Sequence, residues 1–140
     1  MRKQTLLDTG PFVAYLSRRD PYHEWAKDQF VATPAPLLTC EPVVTEACFL
    51  LAKVPDGCAP LLDLLAREVV KIAFRVDTEV DAVAALMKRY RNIPMALADA
   101  CLVRMAETNP GSVVLTLDRD FRVYRMNRRQ VVPVRMPSAI

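Results

Sequence analysis

The sequence predicts an α/β fold in which a central parallel sheet of about five strands lies between two layers of helices. Three observations lead to this prediction. Short apolar segments alternate along the chain with longer helical segments. The strand-like segment VVLTL lacks polar–apolar alternation, as expected of parallel strands that are covered on both faces. The 3 glycines and most of the 11 prolines fall where elements should begin or end.

Hydrophobic patterning and helix-start signals place the individual elements. Pro21 and Pro42 stand at the start of helical segments, where a missing backbone N–H costs nothing. The predicted strands cover residues 4–8, 36–40, 69–74, 112–117 and 130–134. The predicted helices cover residues 11–17, 22–32, 41–53, 58–67, 77–90 and 95–107.

Composition and length predict a single domain over residues 1–140. The chain is 52% hydrophobic and 25% charged, which is enough apolar material for a real core. No tract has the length and hydropathy of a membrane span, and the N-terminal segment lacks the apolar stretch of a signal peptide. We therefore expect a cytoplasmic protein with no membrane partner. The net charge of +3 permits a polyanionic partner without requiring one.

The four cysteines do not form a recognisable metal-binding pattern. There is no CxxC pair and no nearby histidine partner among the four, which are Cys40, Cys48, Cys58 and Cys101. This pattern argues against a zinc site. Cys48 and Cys101 lie in apolar helical segments, where a reduced cysteine packs as a small hydrophobe. We expect both to be reduced.

Two aspartates come at the ends of predicted strands. Asp8 follows QTLL, and Asp118 follows SVVLTL. The carboxyl ends of parallel strands meet at one edge of the sheet, and ligands bind at that edge. Both aspartates could therefore face a common site. Each could equally cap the turn or helix that follows it.

Two further acids interrupt helices that are otherwise apolar. Glu46 lies in PVVTEACFLLA, and Asp99 lies in MALADACLVRMA. A buried ionised carboxylate is costly unless it has a partner. An arginine could be that partner. Together with the strand-end aspartates, however, these acids favour a shared Mg²⁺ or Mn²⁺, because such ions prefer oxygen ligands. Asp99 also lies early in its helix, where the dipole stabilises negative charge.

Three neighbouring residues are candidate auxiliaries of this site. Asp120 could face the same site or cap the turn before Phe121, and we favour the cap. Thr9 and Thr116 adjoin the strand-end acids, so their hydroxyls could orient the carboxylates, although threonine is also an ordinary strand residue. The acids with polar neighbours are expected to be solvated: Glu24, Asp28, Glu68, Glu79, Asp81 and Glu107.

Four segments carry a resemblance to a known family. They are LLDTGPFVAYL, TCEPVVTEACFLL, PMALADACLV and LTLDRDFRVYR, in this order from residue 6 to residue 125. The chain resembles PIN-domain ribonucleases of the VapC toxin type, which belong to type II toxin–antitoxin pairs. The resemblance implies a Rossmann-like fold whose carboxyl-edge pocket binds Mg²⁺ or Mn²⁺. The implied ligands are Asp8, Glu46, Asp99 and Asp118, and Asp120 and Thr116 match further positions of the last segment.

The resemblance also implies an activity and partners. The expected enzyme is an endoribonuclease that hydrolyses RNA phosphodiester bonds and leaves a 5′-phosphate. Asp8, Asp99 and Asp118 would hold the metal directly, and Glu46 would hold it through water or orient the attacking water. A small antitoxin protein and a homodimer are the expected partners. One departure is Ala96, where relatives often carry an acid.

Other functions stay open at this point. The departure at Ala96 leaves room for a PIN-fold module that binds RNA or protein with weak or lost nuclease activity. A phosphatase that uses Asp8 as a covalent nucleophile is disfavoured, because Gly10 stands where a second aspartate is expected. Two basic groups could contact RNA, remain solvated or pair with an acidic protein: Lys88, Arg89 and Arg91, and Arg119, Arg122, Arg125, Arg128 and Arg129.

Overall fold

A computed structural model describes residues 3–140, so Met1 and Arg2 of the predicted domain lie outside the described residues. The strands are β1 (Thr5–Leu7), β2 (Leu37–Thr39), β3 (Val70–Ile72), β4 (Val113–Leu115), β5 (Arg125–Met126), β6 (Gln130–Val131) and β7 (Val134–Arg135). The helices are α1 (Thr9–Leu16), α2 (His23–Ala32), α3 (Glu41–Leu51), α4 (Ala59–Ala66), α5 (Val80–Arg89) and α6 (Leu97–Thr108). A short 3₁₀ turn covers Arg119–Arg122.

The central strand of the main sheet is β1. Five parallel strands lie in the order β3-β2-β1-β4-β7, with helices on the flanks, which confirms the predicted fold class. Leu6 of β1 pairs with Leu38 on one side and with Val114 on the other. The chain builds outward from β1 to β3 and then returns to the opposite side of β1 as β4. The strand order therefore reverses between β1 and β4, which is where such sheets open a crevice for ligands.

Helix α6 is the most extensively buried helix in the described part of the chain. Its small residues, such as Ala98 and Ala100, are buried and let it pack closely against β1 and β4. Helix α3, in contrast, buries only Val43, Ala47 and Leu51 along one face. None of the helices between residues 3 and 140 has the length and hydropathy needed to cross a membrane.

The predicted last strand over residues 130–134 is wrong as a single element. Residues 130–131 form β6, which pairs antiparallel with β5, whereas Val134 begins β7, which pairs parallel with β4. Pro133 lies between the two strands and has no N–H for a continuous ladder. Asn127 and Arg128 make the turn of the β5–β6 hairpin with φ angles of 48° and 72°.

The expectation of a reduced Cys48 is also wrong. Cys48, near the end of α3, forms a disulfide with Cys58, which immediately precedes α4. The turn between the two helices brings the Cα atoms of the two cysteines to within 5.1 Å of each other, although the cysteines are 10 residues apart in sequence. Cys40 and Cys101 are free and completely buried, as expected for Cys101 as a small hydrophobe.

Two of the acids expected to be solvated instead anchor α6. Arg104 donates to Glu79 at 3.2 Å and to Glu107 at 3.1 Å, and the Glu107 side chain is only 12% exposed. Glu107 also accepts a hydrogen bond from the backbone N–H of Asn127 at 2.7 Å. This network joins the start of α5, helix α6 and the hairpin turn, so the expectation for Glu79 and Glu107 is wrong.

Candidate active site

Asp8 lies at the carboxyl end of β1 and is only 6% exposed. Its Oδ1 accepts the backbone N–H of Thr9 at 2.8 Å and caps α1, while its Oδ2 accepts the Thr116 hydroxyl at 2.6 Å. The following turn packs tightly, because a Cβ on Gly10 would stand 3.1 Å from the Cβ of Leu117. Asp8 therefore both caps α1 and lies at the sheet edge, although the sequence presented a cap and a site residue as alternatives.

Asp118 comes three residues after β4 and belongs to the same hydrogen-bonded chain. Its N–H donates to the Thr116 hydroxyl oxygen at 2.9 Å, so Thr116 links it to Asp8. Its Oδ1 accepts the N–H of Asp120 at 2.9 Å and caps the 3₁₀ turn. The predicted cap by Asp120 is therefore wrong, since the neighbouring carboxylate already occupies that role.

Glu46 reaches this edge from the second turn of α3. Its Oε2 accepts the Thr9 hydroxyl at 3.1 Å, which connects it to the residue that follows Asp8. The expectation that Glu46 is enclosed by apolar neighbours is wrong, because the residue is exposed on the uncovered face of α3. Its position beside the strand-end acids does not require burial.

Asp99 is the third residue of α6 and is partly buried. Its Oδ2 accepts the backbone N–H of Ala96 at 3.1 Å and the Tyr124 hydroxyl at 3.2 Å. Ala96 is the N-cap residue of the helix, and its methyl side chain cannot accept a hydrogen bond. Sequence reasoning did not identify Tyr124. The only feature of the sequence that points to Tyr124 is that it is an aromatic residue shortly after Asp120.

The charges of these four carboxylates are not balanced by any cation in the described chain. Every ion pair among residues 3–140 lies elsewhere, so the arginine partner that the sequence left open is not found there. Burial raises the pKa of Asp8 to about 7 against the lowering effect of two hydrogen bonds, and the charges of Asp99 and Asp118 contribute to the rise. Burial raises the pKa of Asp99 to about 6, and the charges of Asp118 and Glu46 add to it.

The donor chemistry of this acidic cluster (Asp8, Glu46, Asp99 and Asp118) fits a divalent cation. Hydrogen bonds within residues 3–140 leave Oε1 of Glu46, Oδ1 of Asp99 and Oδ2 of Asp118 without a protein donor. Hard cations such as Mg²⁺ and Mn²⁺ prefer such oxygens. In the same part of the chain, no three Asp, Glu, His or Cys side chains are grouped in a way that could hold a metal ion. The carboxylates therefore offer suitable oxygen donors but not an assembled metal site.

Comparison with known proteins identifies the family. The PIN domain family model matches residues 5–126. The chain belongs to the PIN-domain family. The fold is also similar to the crystal structure of VapC20 of Mycobacterium tuberculosis, described as a sarcin-ricin loop cleaving toxin. That match has a TM-score of 0.73 and 19% sequence identity, and it covers 91% of this chain and 99% of the other. No match is found among curated proteins.

A groove in this PIN domain opens beside the acidic cluster. It has a volume of about 830 Å³, and its lining includes Glu46, which belongs to the cluster, and Ala98, which precedes Asp99. Phe74 also lines it, as do Arg75 and Asp77, which form an ion pair with an N–O distance of 2.7 Å. Among the four acids of the cluster, Glu46 is the one that lines this groove.

The two basic groups of the sequence meet at the β5–β6 hairpin. Arg89 donates to the backbone carbonyl of Arg128 at 2.6 Å, which joins the end of α5 to the hairpin turn. Arg125 donates to three backbone carbonyls of residues 122–124 and therefore has a structural role. Arg119 and Arg129 are exposed and form no ion pair among the described residues. These exposed guanidinium groups are available to a phosphate backbone.

Proposed function

We propose that this PIN domain is a Mg²⁺- or Mn²⁺-dependent endoribonuclease and the toxin of a VapBC-type toxin–antitoxin pair. The observation that carries the proposal is the convergence of four carboxylates where the strand order reverses, none of them paired with a lysine or arginine of residues 3–140. The similarity of the fold to VapC20, a toxin described as cleaving the sarcin-ricin loop, supports RNA as the substrate. The exposed arginines near the last acid support it as well, because phosphate contacts dominate affinity for nucleic acids.

The roles of the acids follow from their positions. When bound, a divalent cation would supply Lewis-acid stabilisation of the phosphate and activation of water. Asp8, Asp99 and Asp118 would hold it directly, and Glu46 would hold it through water or orient the attacking water. Thr116 and Thr9 donate hydroxyl hydrogen bonds to Asp8 and Glu46, so they fix these carboxylates without neutralising them. Asp120 remains an auxiliary acid beside Asp118.

The partner proteins belong to the same proposal. A small antitoxin would neutralise the enzyme, and the apolar surface of α3 and α4 supports a homodimer. Phe49 is 78% exposed, Leu50 51% and Leu62 55%. Exposed apolar residues in this number are typical of protein interfaces. Leu51, Leu61 and Leu64, three other leucines of these two helices, belong to the core.

A cleavage assay with matched variants tests the proposed activity. The purified protein should cleave RNA in Mg²⁺ or Mn²⁺ and should be inactive in EDTA. Asp8→Asn and Asp99→Asn should abolish cleavage while they retain the wild-type circular dichroism spectrum. Asp28→Asn, on an exposed position of α2, is the control and should remain active.

The same experiment distinguishes a nuclease from a PIN-fold module that only binds RNA or protein. A PIN-fold binding module is favoured by Ala96, which supplies no carboxylate at the start of α6. Such a module would bind RNA with no cleavage and would give no calorimetric signal with Mn²⁺. Cleavage that persists in EDTA or in the Asp8→Asn variant would contradict the role of the acidic cluster.

A further inference from the structure

Tyr124 is completely buried, yet its hydroxyl contacts a carboxylate of the acidic cluster. The hydroxyl donates to Oδ2 of Asp99 at 3.2 Å. The tyrosine ring makes edge-to-face contacts with Phe121 and Tyr90, with centroid distances of 5.2 Å and 5.1 Å. Because Phe121 and Tyr124 follow Asp118 closely along the chain, one short segment carries both an acid and the donor to another acid.

We propose that Tyr124 is a positioning residue that sets the orientation of Asp99 for cation binding; this inference rests on the proposed function. Oδ2 of Asp99 receives two hydrogen bonds from different segments, one from the Ala96 N–H and one from Tyr124. Two donors on one oxygen restrict rotation of the carboxylate. Oδ1 is left without a donor in residues 3–140 and is the atom presented to a cation.

The aromatic contacts explain how a single hydroxyl can hold the carboxylate in place. A buried ring packed by two neighbours has little freedom, so its hydroxyl is a fixed point. Without it, Asp99 keeps only the Ala96 N–H, around which the carboxylate can rotate. Hydrogen-bond partners of metal ligands typically change metal affinity by about 10- to 100-fold.

Tyr124→Phe tests the inference because it removes only the hydroxyl. Tyr90→Phe is the matched control. Tyr90 belongs to the same aromatic group, and its hydroxyl accepts the backbone N–H of Arg125 at 2.8 Å, with no hydrogen bond to an acid in the described chain. Affinity for Mn²⁺ alone is measured by titration calorimetry on the full chain. Stability in EDTA and RNA cleavage over a range of Mn²⁺ concentrations complete the comparison.

The expected result is a loss of Mn²⁺ affinity of about 10- to 100-fold in Tyr124→Phe and an unchanged affinity in Tyr90→Phe. Cleavage by Tyr124→Phe should return towards the wild-type rate as Mn²⁺ is raised, with an unchanged KM for RNA. Equal Mn²⁺ affinity in Tyr124→Phe and wild type would overturn the inference, as would equal losses in both variants. A wild-type protein that neither binds Mn²⁺ nor cleaves RNA overturns the proposed function, and the inference with it.

Discussion

Asp8→Asn should stabilise the metal-free protein at pH 8. The carboxylate of Asp8 is nearly buried beside other acids, so ionisation opposes folding. Asparagine has almost the same shape. Its Oδ1 can accept the Thr9 N–H in the same way, and its amide can donate to the Thr116 hydroxyl oxygen, which is 2.6 Å from Oδ2 of Asp8. The substitution therefore removes the charge and keeps both partners, but it reverses the hydrogen bond with Thr116 and leaves the Thr116 hydroxyl proton without its acceptor.

The magnitude follows from the pKa of Asp8. Burial raises it from 3.8 to about 7, so the folded protein holds this proton more tightly than the unfolded chain. The stability that the proton contributes is complete below about pH 4 and is lost as the pH rises through about 7. At about 1.4 kcal/mol per pKa unit, the full loss is roughly 4 kcal/mol, of which more than half falls between pH 5 and pH 8.

Urea denaturation in EDTA at pH 5 and pH 8 measures this effect. We expect the free energy of unfolding of Asp8→Asn to exceed that of wild type by about 2–4 kcal/mol at pH 8 and by clearly less at pH 5. Asp28→Asn should show no such pH dependence. Mn²⁺ should stabilise wild type and leave Asp8→Asn unchanged, because a ligand stabilises only the state that binds it. If Asp8→Asn is less stable than wild type at pH 8 without metal, the charge on Asp8 is not unfavourable and the reasoning is refuted.

Three further predictions test separate parts of the structure. Ala96→Ser supplies an N-cap acceptor to α6 and should raise stability in thermal unfolding by about 1 kcal/mol; a lower Tm would contradict the cap geometry. Arg104→Met leaves two partly buried glutamates unpaired and should lower the free energy of unfolding in urea by about 1–3 kcal/mol. Arg67→Met removes one partner of an exposed ion pair and should lower it by less than about 1 kcal/mol. Arg128→Gln with Arg129→Gln should weaken RNA binding and reduce its salt dependence, unless the hairpin lies outside the interface.

The parts of the fold that local patterns encode were predictable. Strands β1, β2 and β4 are short, mostly apolar runs, and burial on both faces explains their missing alternation. The edge strand β3 differs, because Lys71 and Ile72 are exposed. Asp8 and Asp118 could be placed at one sheet edge because each directly follows a predicted strand, although Asp118 lies three residues beyond the end of β4. Their role as metal ligands stays a prediction, as does the extent of the domain over residues 1–140.

Contacts between distant segments could not be predicted from one sequence. Tyr124 and Asp99 are separated by 25 residues, as are Arg104 and Glu79, and no local pattern links either pair. The disulfide between Cys48 and Cys58 depends on the turn between α3 and α4, and no local sequence pattern predicts the geometry of that turn. The exposure of Glu46 could not be predicted for another reason. Helix α3 is apolar, yet it exposes residues such as Phe49, so its composition alone does not distinguish it from a fully buried helix.

The acidic cluster is held by hydroxyl and backbone donors, and this choice of donor has a chemical consequence. Thr116, Thr9 and Tyr124 each donate one hydrogen bond to a carboxylate and bring no charge. An arginine would neutralise the site and occupy the oxygens that a cation needs. Neutral donors fix the directions of the carboxylates and preserve their negative charge. Burial, together with the neighbouring acids, raises the pKa values of Asp8 and Asp99 despite these donors, and a bound cation would oppose that rise.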